Sequence, residues 1–284
     1  MLDLFAAAPK DLRRARLHEY NQYLMDRDGE LDLQERTLSR REQSIKRFET
    51  PPKVCKAMDE AEFRKQYVCF DTHKSLDAQM LLLLSLVKVN AAEAYGVSRN
   101  FQRTMARALR NKDDAELRIL CEEGYHTRIL LSSANLYGIQ VDEPYRPPSP
   151  LRILIGGIAT MPMAIARPLT LAGEIIATLM FVKLLSVAQR VLKDDSEIRD
   201  AVEERLLEIC TDERGHISYN RLHMGPADLA QTRFILPVTA RTMATVFPEV
   251  VALGAFPLDV LQELPLIADP MRLPERVRRE SFVA

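Results

Sequence analysis

A chain of 284 residues and 32.4 kDa can bury about three quarters of its unfolded surface, so a large core is within reach. Thirty-nine Lys and Arg against 40 Asp and Glu leave a net charge of -1, which excludes whole-surface recognition of a polyelectrolyte such as nucleic acid. Only 10 Gly, 6% aromatics and no Trp argue against glycine-rich nucleotide loops and a strand-rich sandwich.

Residues 1–70 are dense in mixed charge and read as a helical arm packed on a core, with Pro51-Pro52 ending it. The opening MLDLFAAAPKDLRR has too short an apolar run for a signal peptide. From Ser75 the stretch LDAQMLLLLSLVKVNAAEAYG predicts one helix through a core, stopped at Gly96. Ser98 then caps a short helix over FQRTMARALR. After Asn111, DDAELRILCEEGYHTRILLSSANLYG has acids in its first turn and Gly138 after its last, a strong helical pattern.

The stiff EPYRPPSP connector leads to LRILIGGIATMPMAIA, read equally as a short strand, a buried irregular crossing or a short helix. Pro168 suits a helix N-terminus before LTLAGEIIATLMFVKLLSVAQRVL. Ser196 with Glu197 and Asp200 reopens a helix reaching toward Gly225. Pro226 opens another, interrupted at Pro237, and the tail from Leu264 is Pro-broken. The longest uncharged stretch, Ile153–Ala166, has 14 residues, too short for a membrane span. Cysteines at 55, 69, 121 and 210 lack CxxC spacing. The expectation is a cytoplasmic, all-α protein with no membrane span and no nucleic-acid partner.

Two of the five histidines follow a glutamate by three residues: Glu123-Gly-Tyr-His126 and Glu213-Arg-Gly-His216. That spacing puts a carboxylate and an imidazole on one helix face, able to grip one metal. Ordinary composition gives about 0.4 such pairs for five histidines. Glu93 and Glu174 are acids inside apolar helices, and a buried carboxylate needs a partner or a metal. Lys88 and Lys183 are the alternative partners. His223 stands two turns beyond His216, about 10 Å along the axis and too far to share its metal. His18 and His73 read as surface or capping residues. Cys121, Cys210 and Tyr219 read as core.

In chain order the pattern is Glu, Glu-x-x-His, Glu, Glu-x-x-His, one per helix, with separations of 30, 51 and 39 residues. It resembles the ferritin-like di-iron carboxylate oxygenase superfamily, over about residues 75–225. The resemblance implies a ferritin-like four-helix bundle core at 71–250, with additional N- and C-terminal helices and an extension over 251–284. It implies Glu93 and Glu174 as single carboxylates, Glu123 and Glu213 as bridging ones, and His126 and His216 as terminal nitrogens. Two Fe ions are implied, with Mn or mixed Fe/Mn as the alternative, and O2 as co-substrate. Asp212 would orient His126 and Glu122 would orient His216. Tyr95, Tyr125 and Arg214 are candidate proton donors.

In the ribonucleotide reductase small subunit a radical tyrosine follows the first motif histidine by four; Leu130 stands there. Length and layout are most similar to the arylamine N-oxygenases, whose extra histidine four residues before the second motif is Ile209 in this chain. The resemblance thus implies a small organic substrate, N-oxygenation of an amine or C-hydroxylation, a ferredoxin or flavoprotein reductase as electron donor, and a homodimer. A ferroxidase and a non-enzymatic interaction bundle are the other readings.

Overall fold

The computed structural model describes residues 3–50, 56–111 and 115–284. In chain order the helices are α1 (Lys10–Asp28), α2 (Ser39–Glu49), α3 (Glu60–Val68), α4 (Ala78–Val89), α5 (Ala91–Asn111), α6 (Ala115–Leu131), α7 (Ser149–Thr160), α8 (Met163–Val191), α9 (Ser196–Leu222) and α10 (Pro226–Ala244). Four short ones follow: α11 (Pro248–Ala252), α12 (Val260–Glu263), α13 (Pro265–Ala268) and α14 (Glu275–Glu280). A two-stranded antiparallel hairpin, β1 (Leu31–Asp32) and β2 (Thr37–Leu38), joins α1 to α2. The protein is all-α, with long core helices and flanking ones. The Pro51-Pro52 break, Cys55 and the start of the 112–131 segment at Lys112–Asp114 lie outside the described residues.

Contacts divide the chain into two compact units. The first takes residues 1–20, 161–246 and 253–284. Its centre is α8 packed along α9, with α10 against α8. Leu171, Ile175, Ile176, Leu179 and Leu184 of α8 are fully buried, as are Leu206 and Ile209 of α9 and Leu229 and Leu236 of α10. Each such side chain contributes about 1.5–3 kcal/mol of transfer free energy. Arg276 of α14 reaches Glu208 of α9 and ties the C-terminal helices down.

The second unit takes residues 21–160 and 247–252. Here α6 packs against α5, α4 and α2, with α7 on α5 and α11 on α4. The Asp77 carboxylate accepts from the Gln79 and Met80 amides and starts α4. The helix expected to run to Gly96 breaks instead at Asn90, and α5 then continues straight through Gly96. Asn90 donates to the Glu123 carbonyl and the Thr127 hydroxyl, bonds that hold its own backbone out of the helix.

Three proline and glycine expectations change similarly. Helix α8 begins at Met163 after Pro162, so Pro168 lies inside it. Helix α10 runs through Pro237 without interruption. The carbonyl that loses its bond there belongs to exposed Arg233, where water can satisfy it. The Ile153–Ala166 stretch is helical on both sides of Pro162 rather than a buried crossing, and Ile153 is 77% exposed. Two stretches, Ala78–Arg99 and Ile165–Val191, do have the length and apolarity of a membrane span. They are 61% and 78% buried within the fold, as core helices are.

The α1–β1 turn depends on one glycine. Gly29 has φ 81°, and a Cβ there would collide with the Ser39 side chain and stand 2.9 Å from the Arg40 amide nitrogen. Gly29→Ala is therefore expected to destabilise the protein by at least about 1–2 kcal/mol, read from the urea midpoint.

Candidate metal centre

In the first unit, α8 supplies Glu174 and α9 supplies Glu213 and His216. Ligand atoms of these three residues lie within 4.8 Å of one another. His216 Nδ1 is 3.7 Å from Glu174 Oε2 and 3.8 Å from Glu213 Oε2. Those separations are too long for hydrogen bonds. They suit donors that share an ion, since two ligands each about 2.1 Å from one metal lie roughly 3–4 Å apart. Glu213 and His216 are fully buried and Glu174 is 8% exposed. Glu174 Oε2 accepts no hydrogen bond, an expensive state for a buried carboxylate oxygen and one a cation would relieve.

The lysines that offered another explanation for the buried acids are committed elsewhere. Lys183 donates to Glu263 at 2.7 Å and to the Phe256 carbonyl at 3.1 Å. Lys88, in the second unit, lies 3.4 Å from buried Glu249 and 4.3 Å from the Tyr145 ring centre. Burial pushes Lys88 below its ordinary pKa and Glu249 above its own, against their mutual attraction.

In the second unit, α6 carries the other Glu-x-x-His. His126 Nδ1 is 3.3 Å from Glu123 Oε2, with the imidazole fully buried and the carboxylate nearly so. The Asn90 bond to the Glu123 carbonyl fixes the backbone of this turn. Glu93 sits half-buried in the first turn of α5 and belongs to no ligand cluster among the described residues. A groove beside the motif is lined by Val97, Ser98, Leu120, Cys121, Gly124 and Tyr125. A Cβ on Gly124 would meet nothing within 4 Å there.

The neighbouring face of α6 is held by the charged N-terminal segment. Arg41 of α2 is 2% exposed and donates to Asp28 at 2.7 Å and to Glu122 Oε1 at 3.0 Å. One turn and a half away, Arg128 grips Glu42 and Glu49, each at 2.7 Å. Tyr125 donates to Glu42 and accepts from the Leu38 amide. Burial pushes the Tyr125 hydroxyl up to about 12. Both bonds tie its hydroxyl to α2 and β2. The hydrogen bond from Arg128 holds the Glu42 carboxyl below its ordinary 4.5. Its contribution is therefore complete above pH 4.5 and is lost as pH falls through the lower folded value. Glu42→Gln should flatten the acid limb of the stability–pH curve, measured by urea unfolding between about pH 3 and 6.

Sequence reasoning did not single out Arg41, Asp28 or Asn90. A charge run carries no mark of which member a partner helix will bury. Among the other named residues, Asp212 is buried on α9. Tyr95 lies half-buried with its hydroxyl accepting from Arg99. Burial raises the thiol of Cys210, and that of Cys121 to about 12, as expected of core cysteines. His223 packs edge-on against Tyr219, ring centres 4.6 Å apart. His18 and His73 are exposed.

A comparison with known proteins finds no matching family model, curated protein or solved structure. The Glu/His cluster is consistent with a metalloenzyme, without a specific family.

Proposed function

We propose that the protein is a two-metal carboxylate oxygenase that uses O2 to oxidise a small organic substrate. The observation that carries this reading is the buried Glu174, Glu213 and His216 cluster, whose donors converge without bonding one another. The donor set fits the group: carboxylate oxygens and imidazole nitrogen suit iron or manganese. In this reading Glu123 and His126, with Glu93, supply the remaining ligands in a ferritin-like bundle, an arrangement supported by the order of the motifs in the sequence. By the same resemblance, Asp212 would orient His126. Bound metals would supply O2 activation, with electrons from a ferredoxin or flavoprotein reductase.

The chain's own residues would do the rest. Glu174 and Glu213 would offset metal charge, and His216 would hold a metal through its imidazole. Leu171, Ala177 and Thr178, buried one turn either side of Glu174 on its own face of α8, would exclude bulk water from the centre. N-oxygenation of an amine and C-hydroxylation are the two reactions the sequence resemblance implies.

The test is O2 consumption by purified protein loaded anaerobically with ferrous iron and supplied with a chemical reductant. The reading expects iron-dependent uptake that His216→Ala abolishes. Uptake no faster than free ferrous iron, or unchanged in the variant, would contradict it.

A further inference from the structure

We propose that the protein pairs with a second copy of itself across a two-fold axis, with Phe234 of each copy entering an apolar groove on the other. The inference is independent of the oxygenase reading. It rests on one face of the first unit.

Helix α10 buries Leu229, Thr232, Leu236 and Ala240, a single face at helical spacing. Its outer side carries Phe234 and Val238, one turn apart and 84% and 65% exposed. Phe234 is the most exposed large apolar side chain among the described residues. An isolated apolar residue at a surface needs no explanation. Two on consecutive turns, next to an apolar hollow, form a patch of the kind that marks a contact surface.

The hollow lies on the flank of α10. It is a groove of about 300 Å³ walled by Leu4, Phe5, Leu261, Leu264, Pro265 and Ala268. Arg233 of α10 and Asp3 supply its charged groups. The helix repeat turns Phe234 about 100° from Arg233, so the ring points to solvent and leaves the groove beside it open.

That adjacency sets the symmetry. A knob matched to a hollow on a different side of the molecule builds an open chain of subunits. Side by side, knob and hollow satisfy one another across a two-fold axis, and each contact is made twice. Charge agrees with a second copy as the occupant. Arg233 and Asp3 line the same groove, and among the described residues neither forms an ion pair. The Arg233 guanidinium lies 5.8 Å over the Phe5 ring, and Asp3 Oδ1 accepts from the Phe5 amide. Two copies related by the axis bring Arg233 of one to Asp3 of the other, twice.

The test is sedimentation equilibrium of the full-length, metal-free protein over a wide range of concentration. Wild type should associate reversibly to a dimer and no further. Phe234→Asp should weaken the dimer about 30-fold or more, as loss of a central aromatic anchor does. Its helical circular dichroism should stay unchanged, because the side chain packs on little of its own chain. Arg233→Glu should weaken the dimer, and Asp3→Lys added to the same chain should restore it by exchanging the two charges. A monomer at every concentration, a dimer that Phe234→Asp leaves as tight as before, or no recovery in the charge-exchanged chain would each overturn the proposal. So would a monomer that binds phosphatidylglycerol vesicles through Phe234, which would give the face to a lipid surface.

Discussion

His216→Ala is expected to leave the protein without its metal. The imidazole is fully buried, and its Nδ1 stands 3.7 and 3.8 Å from the carboxylates of Glu174 and Glu213. Removing a residue that merely orients a ligand costs about 10–100-fold in metal affinity. Loss of the ligand itself should exceed about 100-fold and take metal content, measured after dialysis, close to zero. Glu213→Ala should do the same, since its carboxylate is wholly inaccessible to solvent. Both variants should keep their helical circular dichroism. Glu174→Gln is the informative intermediate: it keeps the shape but withdraws the charge, so it should weaken metal binding while stabilising the metal-free protein.

Arg41→Ala should be the most damaging single change away from the metal centre. The side chain is 2% exposed and joins two buried carboxylates, Asp28 and Glu122, from separate segments. Breaking a buried ion pair from one side costs about 3–5 kcal/mol, because charges remain in the interior without their counter-charge. Urea unfolding would show it as a lower midpoint. The loss should appear in metal-free protein as well, since the triad serves the junction of α2 with α6. A surface control, Arg64→Ala, removes a pair whose partners are 55% and 52% exposed and should cost under about 1 kcal/mol.

How far these features are legible in the sequence depends on how local they are. The i, i+3 spacing of Glu213 and His216 is fixed by helix geometry, so the sequence alone pairs them. The apolar run around Glu174 marks a core helix in the same way, and α8 is one. Other features depend on a partner far along the chain. Asn90 breaks the helix before Gly96 because Thr127 and the Glu123 carbonyl are within reach of its amide. Nothing within residues 78–96 announces that. Arg41 reads as one charge among many in SRREQSIKRFE until Asp28 and Glu122 enclose it. Lys183 is an alternative partner for Glu174 in the sequence, and the fold shows it bonded to Glu263.

The measurement that bears most directly on the central claim is the number of metal ions per chain in protein reconstituted anaerobically with ferrous iron. Elemental analysis should be run on wild type and on Glu123→Ala, His126→Ala, Glu213→Ala and His216→Ala side by side. The account predicts two irons per chain in wild type and loss of stoichiometric two-metal loading in every variant. Full loading in Glu123→Ala and His126→Ala, or no metal at any concentration in folded wild type, would contradict it.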